Sequence, residues 1–181
     1  MQYCGKTDVG MKRTVNQDNF SIKEYAPGIL LAVVCDGMGG AKSGNVASTL
    51  AAEVFVEEIR RNWIPGMASD RIDLMLKNAV KLANFTVYDQ SRQFEEFTGM
   101  GTTLVAVLIC GKWATVVNVG DSRAYCIDKS GIHQISVDHS VVQLMINRGE
   151  LTPEQAKTYP GKSLITRAIG TEPVVESDLF H

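Results

Sequence analysis

The sequence predicts an α+β fold built on antiparallel strands. Three observations carry that expectation: strand-like segments near the N-terminus, two consecutive long amphipathic helical patterns, and a return to short strands joined by tight turns. Strands and helices grouped in blocks indicate an α+β architecture and not an alternating βαβ one. No internal repeat, low-complexity tract or linker interrupts the 181 residues, so 1–181 is read as a single domain.

The elements follow in order. Phe20-Ser21-Ile22-Lys23 alternates apolar and polar, the period of a half-buried strand. Ile29 to Cys35 is a continuous apolar run, expected to be a strand buried on both faces and stopped by the turn Gly37-Met38-Gly39-Gly40. From Gly44 to about Arg61, Val46, Ala47, Leu50, Ala51, Val54 and Phe55 recur at helical spacing, with Glu57 and Glu58 off the stripe. Pro65 and Gly66 end that pattern. A second helix is expected from about Asp70 to Gln90 with Ser69 as its N-cap. Thr102 to Cys110 and Trp113 to Val119 flank Gly111-Lys112 and read as a hairpin. Short strands are expected over Ser122–Ile127 and Ile132–Ser136, and a short helix over Ser140–Arg148. Thr152-Pro153-Glu154-Gln155 carries a capping box with Pro at the first helical position.

Composition narrows the function classes. Hydrophobic residues make up 45% and charged residues 21%, ordinary for a globular protein. A net charge of −2 argues against nucleic acid or an anionic membrane as the main partner. The longest apolar run is too short to span a bilayer, and the first residues lack the apolar stretch of a signal peptide, so a cytoplasmic location is expected. Cys4, Cys35, Cys110 and Cys126 show no metal spacing and read as reduced thiols, with Cys35 and Cys110 in apolar runs.

Three carboxylates stand where chemistry is expected. Asp36 ends an apolar strand and opens a glycine-rich turn. Asp121 repeats the pattern after Trp113 to Val119 and Gly120. Asp18 lies in Asn16-Gln17-Asp18-Asn19, just before a strand. Carboxylates at strand ends can converge on one edge of a sheet, and an all-oxygen donor set points to Mg²⁺ or Mn²⁺ and away from zinc. Each Asp alone is equally at home as a turn former or helix cap. Ile29 to Ser43 also has the context of a P-loop, but Asp36 and Ala41 occupy positions where that motif needs glycine. Gly-x-Ser-x-Gly fails around Ser122 because Ala124 ends it, and His139 beside Asp138 reads as a structural pair.

Taken together, six segments resemble the PP2C (PPM) phosphatases, bacterial branch: Arg13 with Asn16-Gln17-Asp18, Asp36 to Gly40, Met100 to Leu104, Gly120 to Arg123, Asp138 to Ser140, and Leu164 to Gly170. Any one would be weak; six in order over nearly the whole chain are specific. The resemblance implies a sandwich of two antiparallel sheets flanked by helices. It implies two Mn²⁺ or Mg²⁺ ions held by Asp18, Asp36 and the backbone of Gly37, with a third, weaker ion at Asp121. It implies that Arg13 holds the substrate phosphate, that a metal-bridging hydroxide attacks phosphorus, and that the substrates are phosphoserine and phosphothreonine proteins, targets of a Ser/Thr kinase. Two departures are Ala41 and Asn45, where bacterial members often carry His and Glu. The family also continues into further strands bearing two more metal aspartates, which are not found here, and Asp178 lacks the context to replace them. The chain is therefore expected to be C-terminally incomplete and prone to self-association through unpaired sheet edges. The alternative reading is a phosphatase-like binding module without turnover.

Overall fold

Strand β2 (Ile29–Met38) organises the molecule. It pairs antiparallel on one side with β1 (Asp18–Ala26) and on the other with β4 (Leu104–Cys110), which continues antiparallel into β5 (Trp113–Val119) and then β8 (Asp178–Phe180). The two-residue β3 (Gly101–Thr102) pairs with the end of β2, completing a six-stranded sheet. A separate ribbon pairs β6 (Tyr125–Asp128) with β7 (Gly131–Gln134). Helices α1 (Ser43–Asn62) and α2 (Ser69–Gln93) lie between β2 and β3 in sequence; α3 (Val141–Asn147) and α4 (Pro153–Ala156) follow β7. The computed structural model describes residues 1–39 and 43–181. Gly40 and Ala41, both singled out in the sequence, lie outside them.

The core forms where the inner face of the sheet meets α1 and α2. Leu31, Val33 and Cys35 alternate inward from β2, as do Leu104, Ala106 and Leu108 from β4 and Val117 and Val119 from β5. Ala47, Ala51, Phe55 and Ile59 descend one face of α1 at four-residue spacing, and Leu76, Ala79, Val80, Ala83 and Val87 do the same on α2. The alanines let α1 lie close to the sheet. Fully burying side chains such as Phe55, Leu31 and Ile59 stabilises by about 1.5–3 kcal/mol each.

Three local expectations are corrected. β2 is not buried on both faces: Leu31, Val33 and Cys35 are covered by the helices, whereas Val34 on the other face is 45% exposed. Helix α2 begins at Ser69 itself, and the N-cap is Ala68, which supplies no side-chain bond. The strand expected from Ser122 starts only at Tyr125, because Ser122 and Arg123 are engaged elsewhere. The capping box at Thr152 is present as read, with Thr152 Oγ1 accepting from the Gln155 N–H and Gln155 Oε1 accepting from the Thr152 N–H.

Candidate active site

Sheet register decides which residues meet. Because β1 and β2 are antiparallel, the start of one lies beside the end of the other, and Asp18 sits directly opposite Asp36. Residues so paired project to the same face with Cβ atoms about 4.5–5.5 Å apart. Gly37 pairs with Thr102, and Leu104 with Val119, which brings the Gly120-Asp121 turn to the same end of the sheet.

The residues around Asp18 explain its neighbours in sequence. Asn16 Oδ1 accepts the Asp18 N–H at 3.0 Å. The Gln17 carbonyl accepts from the Gly37 N–H at 3.0 Å and from Ser48 Oγ at 2.6 Å. Asn19 Nδ2 donates to Thr49 Oγ1 at 2.9 Å. The polar run thus fastens the start of β1 to β2 and α1, while the Asp18 side chain faces Asp36. Gly37 has no room for a side chain: a Cβ there would collide with the carbonyl oxygen of Gly44 in the first turn of α1.

The electrostatics single out Asp36. Burial, the charge of Asp18 and a hydrogen bond with its carboxyl push the Asp36 carboxyl up to about 6, with Asp121 adding to the rise and Arg13 opposing it. Burial likewise raises Asp121, with the charge of Asp138 adding to the rise. Asp178 behaves in the opposite way: burial alone would raise it, but hydrogen bonds from His139 and Arg167 outweigh that and hold it low. Asp178 has its donors, while Asp36 faces like charges.

His139, 6% exposed, is a structural clamp. Its Nδ1 accepts the Gly120 N–H at 3.1 Å, its own N–H donates to the Gly120 carbonyl at 2.9 Å, and Nε2 meets Asp178 Oδ2 at 3.1 Å. Accepting at Nδ1 assigns the ring hydrogen to Nε2. Arg167 Nη1 donates to Asp178 Oδ1 at 3.0 Å. Arg123 donates to Asp138 through Nε and Nη2, the shortest bond being 2.6 Å. A groove of about 760 Å³ leads from Asp121 and Arg123 past Ser140 and Gln143 to Lys157 and Lys162.

Of the residues expected from the sequence, Asp18, Asp36 and Gly37 are contiguous, and Arg13 and Asp121 are near enough for their charges to act on Asp36. Among the described residues, no three His, Cys, Asp or Glu side chains are grouped as a complete metal site. The donor chemistry present still suits a hard cation: two facing carboxylates, one with its pKa raised by burial and by the charge of the other, beside an exposed strand end. Sequence reasoning missed the ties to Asp36 and Gly120 from Thr103 and His139. The motifs Met100 to Leu104 and Asp138 to Ser140 flagged both residues without giving their contacts.

Residues 10–155 match the protein phosphatase 2C family. The chain belongs to the PP2C family. A putative protein phosphatase 2C-type of Streptococcus pyogenes is 35% identical over 181 residues, covering 99% of this chain and 72% of that protein. The serine/threonine phosphatase stp of Listeria monocytogenes is 33% identical over 175 residues, covering 97% and 69%. Among solved structures, serine/threonine phosphatase Stp1 of Staphylococcus aureus superposes with a TM-score of 0.90 at 38% identity, covering 97% of this chain and 68% of that one. The α+β arrangement of antiparallel sheets and helices is therefore the PP2C fold, and Asp18, Asp36 and Asp121 lie at one end of the larger sheet in this PP2C chain.

Proposed function

We propose that this chain, as a single PP2C domain over 1–181, hydrolyses phosphoserine and phosphothreonine in proteins phosphorylated by a Ser/Thr kinase, with Asp18, Asp36, the Gly37 carbonyl and Asp121 as ligands for Mn²⁺ or Mg²⁺. The observation that carries the reading is the Asp18–Asp36 register pair, in which burial and the facing charge of Asp18 raise the pKa of the Asp36 carboxyl. When bound, two such ions supply charge against the phosphoryl oxygens and an acidified water for in-line attack, without a phosphoenzyme.

The chain's own groups fill the other roles. Arg13, exposed and close enough to act on Asp36, offers a guanidinium fork matched to phosphate oxygens. The groove ending at Lys157 and Lys162 accommodates the polypeptide flanking the phosphorylated residue. Ser122 and His139 are engaged with other groups and not with one another: Ser122 Oγ is 2.7 Å from Thr103 Oγ1, and the ring nitrogens of His139 meet the Gly120 N–H and Asp178 Oδ2. No helix among the described residues is long and apolar enough to cross a membrane, and four free cysteines suit a reducing, cytoplasmic setting.

A phosphothreonine peptide incubated with the protein and Mn²⁺ is expected to release phosphate, to stop on chelation with EDTA, and to resume when Mn²⁺ is restored. Hydrolysis that persists in EDTA would overturn the reading. A second reading, binding without turnover, draws on the lack of a three-ligand cluster among the described residues. Saturable phosphopeptide binding with no phosphate release at any Mn²⁺ concentration would establish it instead.

A further inference from the structure

Thr103 is 2% exposed and stands at the break between β3 and β4, where nothing in strand pairing requires a hydroxyl. Its backbone and side chain both contact Asp36. The Thr103 N–H donates to the Asp36 carbonyl at 3.0 Å, and Thr103 Oγ1 accepts the Asp36 N–H at 2.9 Å. The same Oγ1 is 2.7 Å from Ser122 Oγ, the residue after Asp121. Its methyl group fills the space beside Gly120: a Cβ built there would lie 2.6 Å from Thr103 Cγ2, and Gly120 has φ +106°, a conformation that glycine adopts freely.

One side chain therefore touches the backbone on both acidic turns. A hydroxyl has one hydrogen and two acceptor sites, enough to accept from Asp36 and bond Ser122 at once. We propose that Thr103 is a positioning residue that locks the end of β2 carrying Asp36 to the turn carrying Asp121, so that the two carboxylates keep a fixed separation. The hydroxyl supplies the hydrogen bonds and the methyl seats Gly120. Serine lacks the methyl and valine lacks the hydroxyl, so the two functions separate by substitution. The proposal rests on reading Asp36 and Asp121 as metal carboxylates, but the lock itself is a property of the metal-free protein.

The test compares Thr103→Val and Thr103→Ser in the full chain. Amide hydrogen exchange of Asp36 is measured by NMR in EDTA. Losing one buried hydrogen bond is expected to speed that amide by roughly tenfold in Thr103→Val and to leave it within about threefold of wild type in Thr103→Ser. The Mn²⁺ concentration for half-maximal phosphatase activity should rise by a similar factor in Thr103→Val and by less in Thr103→Ser, which keeps the hydroxyl link and loses only the methyl beside Gly120. In a Ser122→Ala background, Thr103→Val should cost less than it does alone, because the two hydroxyls form one link. Unchanged Asp36 exchange in Thr103→Val, equal impairment by Val and Ser, or strict additivity with Ser122→Ala would overturn the proposal. Should Thr103→Val not fold, Ser122→Ala alone decides: a raised Mn²⁺ requirement with Asp36 exchange still slow supports the link, and an unchanged requirement refutes it. Wild-type activity that resists EDTA would sink the metal reading of the site, while the exchange comparison still reports on Thr103.

Discussion

Replacing Asp36 by Asn removes one charge and leaves shape and backbone contacts in place, so its effects on stability and on metal binding should have opposite signs. In the metal-free protein, the Asp36 carboxyl keeps its proton up to about 6 instead of the ordinary 3.8. At face value its ionised form is disfavoured by roughly 3 kcal/mol. Asp36 is only partly covered and keeps more than a third of its surface in solvent, so screening reduces this, and about 1 kcal/mol is expected to survive. The folded pKa lies above the unfolded one, so the group's contribution is fully present below about pH 4 and is lost as pH rises toward 6. Asp36→Asn does not titrate. In EDTA it should match wild type near pH 4 and exceed it in melting temperature by about 2–4 °C at pH 7. With Mn²⁺ at a hundred times its dissociation constant, wild type should gain about 2.7 kcal/mol and the variant almost none. Turnover of a phosphopeptide should fall by a factor on the order of 10³ or more, since the carboxylate proposed to serve both ions is gone. Scanning calorimetry from pH 4 to 7 with and without Mn²⁺, with a phosphate-release assay, measures all three. Near-normal turnover at saturating Mn²⁺ would refute the assignment. An EDTA melting temperature below wild type at pH 7 would refute the argument that burial and the charge of Asp18 disfavour the ionised Asp36.

Arg13→Ala should act on substrate and not on metal, raising KM for a phosphopeptide by the equivalent of roughly 1.5–3 kcal/mol with the Mn²⁺ requirement unchanged; steady-state kinetics giving an unchanged KM would return Arg13 to an ordinary loop charge. Gly37→Ala should push α1 away from the end of β2, because the added Cβ meets the Gly44 carbonyl, and about 1–3 kcal/mol of stability should be lost together with most activity. Denaturant unfolding checks it, and a wild-type midpoint would show that the contact relaxes at little cost.

What was legible in the sequence was what local chemistry decides. The Thr152 box closes within four residues, and the Gly111-Lys112 turn fixes the register Cys110 opposite Trp113, so both could be read from spacing. The apolar run of β2 told of a strand but not which face the helices would cover, since Val34 and Val33 are chemically alike and only packing distinguishes them. Ser69 looked like a cap because serine often is one; α2 starts a residue earlier than that role requires. The three carboxylates were legible as strand-end residues. Their surroundings were not: Thr103 reaches Asp36 across 67 positions and His139 reaches Asp178 across 39, and no periodicity records a contact of that range.

The pairing of β8 with β5 has a kinetic consequence. β1 with β2 and β4 with β5 are near neighbours in the chain, and such hairpins close in microseconds. Val116–Asn118 must instead find Asp178–Phe180 across some sixty residues, a search whose entropy is repaid only when the strand docks. Asp178 on that strand also completes the His139 and Arg167 contacts behind the Gly120 turn. A chain caught before that event would already have its helix-backed core and its Asp18–Asp36 pair, yet lack the rear support of the Asp121 turn. Competence at the site would then ripen later than compactness, and a refolding time course followed by activity should lag behind one followed by tryptophan fluorescence.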